Sequence, residues 1–165
     1  MSERGDKGLT LGECNLVVSK SSCFVRAMGV IDDFQARLGS ARVLLDGEEN
    51  NKIKAVQTDL HQIMGSLYQR SKWEKGDESI KEVEEDIKSY QGRIENLEKF
   101  LIPGKNETEV RVDLCRTGCR LVEKELVFLK KKNKKKKLYF DLNIIKYFNK
   151  LSTYFYLMWR EKLDN

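Results

Sequence analysis

The sequence predicts an all-α protein: a five-helix bundle with a four-helix-bundle-like core, preceded by a glycine-containing loop. Three observations carry that expectation. The 165 residues include a single proline, so residues that break helices are scarce. Apolar residues recur at three- and four-residue steps through long charged segments. A content of 40% hydrophobic and 35% charged residues suits one domain rather than two. The domain is read as 1–165, with 1–21 as the loop and 22–165 as the bundle.

The first helix is expected over about Ser22 to Leu45, where Phe24, Ile31, Leu38 and Leu45 fall at seven-residue intervals. The Asp46-Gly47 pair ends it. A second covers about Asn51 to Gln69, with Ile53, Val56, Leu60, Ile63 and Leu67 on one stripe. The third, about Glu78 to Leu101, spaces Ile80, Val83, Ile87, Tyr90, Ile94, Leu97 and Phe100 as bundles do, and Pro103-Gly104 terminates it. A fourth begins at Asn106 or Thr108, either of which can cap free N–H groups, and runs toward Lys130. The fifth, about Asp141 to Lys162, turns Leu142, Ile145, Phe148, Leu151, Phe155 and Met158 inward. Its aromatic density predicts the most buried element.

Charge and cysteine content narrow the function. The net charge of +5 is concentrated in Lys130–Lys137, which supplies seven of 31 basic residues, and the remaining 24 face 26 acidic ones. A surface-wide nucleic-acid footprint is therefore absent. The run itself reads as a solvated turn opposing the negative end of a helix dipole, with a phosphate-backbone or membrane-surface patch as the other readings. No apolar stretch is long enough to span a membrane, and Met1 to Lys7 lacks a signal-peptide core, which predicts a cytoplasmic protein. Cys14, Cys23, Cys115 and Cys119 are too few and too irregular for a disulfide scaffold.

Several constellations admit both a chemical and a structural reading. Gly5, Gly8 and Gly12, with Asp6, Lys7, Thr10 and Lys20, combine approachable backbone N–H groups with cations, a composition suited to polyphosphate, although the spacing is not that of a Walker loop. Arg116, Arg120 and Glu123 share one helical face, which could fork phosphate oxygens or form a surface salt-bridge ladder. Asp32 either lies in the apolar side of the first helix, where it needs a cationic partner, or only edges it. Asn149 on the aromatic helix either binds a ligand or ties helices together. Cys115 and Cys119 read as small core residues, and His61, the single histidine, has no metal-ligand spacing to them.

In order along nearly the whole chain, these segments resemble the ATP:cob(I)alamin (corrinoid) adenosyltransferase family of trimeric helical bundles. GDKGLT at Gly5–Thr10 is similar to the family's TGDKGxT phosphate loop, and VSK at Val18–Lys20 to its lysine motif. VRAMGVIDDFQARLG, Val25–Gly39, resembles VEAYGTVDELNSxLG, and FLIPG, Phe100–Gly104, resembles FxLPG. CRTGCRLVEK, Cys115–Lys124, is similar to ARTxxRRAER, and YFNKLSTYFYLMWR, Tyr147–Arg160, to YLNRLSDxLFxxAR.

The resemblance implies transfer of the 5′-deoxyadenosyl group of ATP to the Co(I) of a reduced corrinoid, with Mg²⁺ neutralising the triphosphate, in a homotrimer with sites at subunit interfaces. A reductase or cobalamin-dependent enzyme would be a further partner, and nucleic acid and membrane would not. It assigns the triphosphate to Gly5, Asp6, Lys7, Gly8, Thr10 and Lys20, and ATP positioning to Arg116, Arg120, Glu123 and Asn149. Asp32 would pair with Arg116 and touch the corrin, and Phe100 would press on the lower corrin face and displace its axial base. No protein side chain is assigned to the metal. The chain departs from the family pattern at Arg4, Asp33, Gln35, Leu121, Lys150 and Thr153, with Leu121 and Thr153 read as a lost ion pair. Those departures leave a non-catalytic paralogue that carries or senses ATP or adenosylcobalamin as the alternative.

Overall fold

In a computed structural model, which describes residues 3–94 and 101–164, the expected bundle forms behind a small N-terminal hairpin. The elements are α1 (Glu3–Asp6), β1 (Leu9–Leu11), a 3-10 turn (Glu13–Asn15), β2 (Val17–Ser19), α2 (Cys23–Arg42), α3 (Gly47–Gln69), α4 (Gly76–Gln91), α5 (Glu107–Lys135) and α6 (Leu142–Asp164).

The hairpin corrects the expectation of a plain loop. β1 and β2 pair antiparallel, Leu9 opposite Ser19 and Leu11 opposite Val17. At its tip Cys14 and Asn15 adopt left-handed backbone (φ 52° and 59°), and Gly12 N–H donates to the Leu16 carbonyl at 2.8 Å. Arg70 reaches from the end of α3 to hold this tip by its Glu13 ion pair at 2.8 Å.

Three helix boundaries also differ from those read in the sequence. α3 starts at Gly47, because Glu48 and Glu49 favour the positive end of its dipole. α4 ends at Gln91 instead of running to Leu101; the expected Leu97 and Phe100 lie outside the described residues. α5 absorbs Lys130, Lys131, Lys132, Lys134 and Lys135, so most of the lysine run is helix and not turn. Its start follows the cap rule: Asn106 accepts the Glu109 N–H at 2.9 Å.

Packing proceeds α3–α2–α5–α6–α4, and α4 returns to α3 through the Lys52–Asp86 ion pair and the Tyr90 hydroxyl, which donates to Glu49 at 3.2 Å. α6 is the centre, with Tyr147, Phe148, Leu151, Phe155 and Met158 fully buried. Phe155 meets Phe34 of α2 edge-on at 6.1 Å, and Tyr147 meets Trp73 at 5.0 Å. Each such burial contributes about 1.5–3 kcal/mol. Contrary to its assignment to the inward stripe, Leu142 is exposed and Ile145 only half-buried. At the start of α6, the buried Asp141 accepts the N–H groups of Asn143 and Trp73, both at 2.9 Å, and thereby fixes the α3–α4 connection to α6.

The contacts also give the register. Arg26 pairs with Glu125 and Phe34 packs at Gly118, so α2 and α5 run antiparallel. Glu109 meets Trp159 and Cys119 meets Phe148, so α5 and α6 do too.

Candidate functional site

That register places Asn149 level with Gly118, midway between Arg116 and Arg120, and Asp32 level with Arg120. Four of the expected site residues therefore occupy one slab across α2, α5 and α6. Arg116 is the most constrained of them. Its Nε donates to Asp113 at 2.7 Å, and its guanidinium lies 5.6 Å from the centre of the Trp159 ring. A planar cation fixed on both sides is pre-organised for an oxygen anion.

Asp32, Arg120 and Asn149 are exposed and Glu123 is half-buried; among the described residues, none of their side chains makes a hydrogen bond or ion pair. Two structural alternatives fall away. Asn149 does not tie helices together, because only its carbonyl is engaged, by Ser152 and Thr153. Arg116, Arg120 and Glu123 form no salt-bridge ladder, because Arg116 turns to Asp113 instead. Asp32 edges the apolar stripe, and the Asp32–Arg116 pair is not made within the chain.

The N-terminal residues form a second cluster. Arg4, Gly5, Thr10 and Lys20 line one open concavity. Lys20 Nζ donates to the Gly5 carbonyl at 2.9 Å, and its backbone N–H to the Gly8 carbonyl at 2.8 Å, which clips the loop to the hairpin base. Gly8 has φ +70°, a conformation that favours glycine. Asp6 and Lys7 are exposed beside it. This cluster lies at the α2 N-terminus, and nine helical residues, about 14 Å, separate Cys23 from the level of Asp32.

The departures from the family pattern fall on the surface or in local pairs. Asp33 binds Arg37 at 2.6 Å, the Gln35 amide donates to the Gln57 carbonyl at 3.1 Å, and Lys150 binds Glu84 at 2.9 Å. Leu121 and Thr153 are both exposed, but the α5–α6 register sets them about seven residues, or 10 Å, apart along the axis. They are not the two halves of an ion pair lost from one chain.

Phe100 lies outside the described residues, but the loop after it is firmly held. Buried Glu109 accepts the N–H groups of Gly104 at 2.9 Å and Lys105 at 3.1 Å, and also the Trp159 indole. Sequence reasoning missed Glu109, Asp113 and Trp159 as positioning residues. The Asn106-x-x-Glu109 spacing of a capping box was the signal for the first. Gly118 has a packing cause: a Cβ there would sit 2.8 Å from the Arg37 Cδ and 3.1 Å from Phe34.

Burial pushes the Cys115 thiol up to about 12 and the Cys119 thiol well above its usual range, so both stay neutral core groups. Among the described residues no cluster of three or more His, Cys, Asp and Glu could hold a metal, and no helix is long and apolar enough to cross a membrane.

The family model described as cobalamin adenosyltransferase matches residues 1–162. The chain belongs to that family. Among curated relatives it is 27% identical over 163 residues to the corrinoid adenosyltransferase of Bacillus subtilis, an alignment covering 94% of this chain and 81% of that one. With the corrinoid adenosyltransferase PduO of Salmonella typhimurium the identity is 28%, over 94% of this chain and 47% of the relative. The fold of this family member superposes, at a TM-score of 0.85 and 22% identity, on a variant PduO-type ATP:corrinoid adenosyltransferase from Lactobacillus reuteri complexed with cobalamin and ATP. That match covers 98% of this chain and 92% of the other.

Proposed function

We propose that the hairpin concavity and the Arg116–Arg120–Asn149 slab are the two halves of the site at which this chain performs the ATP-dependent adenosylation of a corrinoid. The supporting observation is the division of polar groups: Asp32, Arg120 and Asn149 share one level of the bundle, and neither they nor Glu123, one turn along α5 from Arg120, have a side-chain partner within the described chain. In this reading Gly5, Asp6, Lys7, Gly8, Thr10 and Lys20 hold the triphosphate, and Arg116, Arg120, Glu123 and Asn149 position the nucleotide.

The reaction moves the 5′-deoxyadenosyl group. The Co(I) electron pair of the corrinoid substrate attacks the 5′ carbon of ATP, the carbon–oxygen bond breaks, and triphosphate departs with that bond's electrons. No proton is transferred, so the protein's task is alignment and neutralisation of the leaving charge. Arg116, already fixed by Asp113 and Trp159, needs no reorganisation to meet developing negative charge. Mg²⁺ bound to the triphosphate would neutralise part of that charge. Phe100 would meet the lower corrin face, and Glu109 anchors Gly104 and Lys105, which follow it in the chain.

The 14 Å offset between the two clusters of one chain favours a site completed by another copy, in a cytoplasmic homotrimer whose protomer is one domain, 1–165. The Asp32–Arg116 pair would then form between subunits. Anaerobic absorbance of reduced cob(I)alamin with MgATP tests the assignment. Conversion to adenosylcobalamin is expected with the native chain and is expected to fall at least about 100-fold in Arg116→Ala, with the melting temperature retained. Native-rate conversion by that variant would overturn the placement.

A further inference from the structure

We propose that the lysine-rich end of α5 is an electrostatic capture surface that draws the polyphosphate of ATP toward the N-terminal concavity. The inference rests on the reading of that concavity as the triphosphate site. Its first support is placement. Glu13 of the hairpin tip, Arg70 that holds it, and Asn133 in the middle of the lysine run line one small cavity. From Glu13 back to Gly8 is five residues, at most about 17 Å of extended chain. The run therefore stands beyond one Debye length from the concavity at physiological salt but within the Debye length of about 30 Å that holds near 10 mM salt, where its attraction is felt most.

The second support is the distribution of the charge. Successive helical residues step by about 100°, so lysines at 130, 131, 132, 134 and 135 spread over an arc of about 200° on the outer side of α5, opposite the buried Leu126, Leu129 and Asn133. Only Asn133 is buried, and its carbonyl accepts the Leu138 N–H at 3.0 Å. A rigid acidic protein face would meet one side of such a helix. A small mobile polyanion can be attracted across the whole of that arc.

The third support is that stability does not explain the run. Among the described residues none of the seven lysines has an ion pair; Lys132 is engaged only with the Phe128 ring, at 5.2 Å. Two or three cations would satisfy the helix dipole, and the i,i+4 repetitions Lys130/Lys134, Lys131/Lys135 and Lys132/Lys136 repel. What seven uncompensated charges do produce is a strong positive potential beside a polyphosphate loop, the arrangement that raises association rates of anions.

Stopped-flow association of MgATP decides the matter, using a variant with Lys131→Gln, Lys134→Gln, Lys135→Gln and Lys136→Gln combined. All four positions are exposed, so the melting temperature is expected to be native. At about 20 mM salt the association rate constant is expected to fall about tenfold with the dissociation rate constant unchanged, and at about 500 mM salt the two proteins are expected to coincide. A native association rate at low salt would overturn the capture role, as would a loss confined to dissociation, which would mean direct contact with bound ATP. Lys20→Ala separates the two levels of the argument. Weakened ATP binding in that variant keeps the concavity as the triphosphate site, whereas native affinity removes the site and the capture surface together.

Discussion

The buried core around α6 and the outer slab across α2, α5 and α6 are built from the same helical periodicity but leave their polar groups in different states. In the core the side chains that anchor α6 are engaged: Tyr147 donates to Asp59 at 2.9 Å, Trp159 to Glu109, and Cys119 to the Phe148 carbonyl. On the slab Asp32, Arg120 and Asn149 stand without side-chain partners. Solvent satisfies them at little cost to the fold, which leaves them available for the proposed binding of nucleotide. Under the proposed assignment, the difference teaches that stability and chemistry are carried by separate residues of the same helices.

The sharpest break of that comparison sets one residue of each region side by side. Phe155→Ala empties a fully buried site against Phe34 and Tyr154, and a loss of about 3–5 kcal/mol is expected in chemical denaturation. Arg120→Ala is expected to change stability by less than about 0.5 kcal/mol while lowering turnover at least about tenfold. Equal destabilisation by the two substitutions would erase the distinction between the regions.

A subtler test lies at the border, where Asp59 of α3 faces Tyr147. Burial raises the Asp59 carboxyl above the usual carboxylate range, although the Tyr147 hydrogen bond opposes the shift. The folded chain thus holds this proton more tightly than the unfolded chain. The resulting stability is full below the ordinary pKa of the group and is lost as pH rises through its raised value. Asp59→Asn keeps an acceptor for Tyr147 and removes the charge. At pH 7 its melting temperature is expected to exceed the native one by a few degrees, with the gap closing toward pH 4. A gap that does not change with pH would mean that the carboxylate is not penalised by burial.

How much of this was legible in the sequence follows from the range of the forces involved. The stripes Ile53–Leu67 and Phe24–Leu45 are local repetitions, so α2 and α3 could be read directly. The hairpin could not, because three-residue strands carry almost no period and are held by Arg70, 57 positions from Glu13. Glu109 reads as a surface acid in a first helical turn; only the indole of Trp159, 50 positions on, shows why it is buried. The lysine run reads as a turn because like charges oppose a helix locally, yet Val122, Leu126 and Leu129 bury that helix against its neighbours and carry it to Lys135. Arg116, Arg120 and Asn149 were legible as candidates from the family resemblance, and their common level appeared only with the interhelical register.

The smallest expected effect probes that register. Leu121→Arg and Thr153→Asp restore the two charges of the family pattern at positions about 10 Å apart along α5 and α6. Exposed single substitutions of this kind change stability by no more than about 0.5 kcal/mol, and groups this far apart without shared partners combine additively within a similar margin. Denaturant melts of both singles and the double, performed on dissociated chains at low concentration, are expected to show additivity. Coupling that appears only in concentrated, assembled protein would place the two positions opposite each other across subunits, which would make position 121 part of the assembly surface alongside Asp32. Coupling in the isolated chain would contradict the antiparallel register set by Glu109–Trp159 and Cys119–Phe148, and with it the common level of Arg116, Arg120 and Asn149.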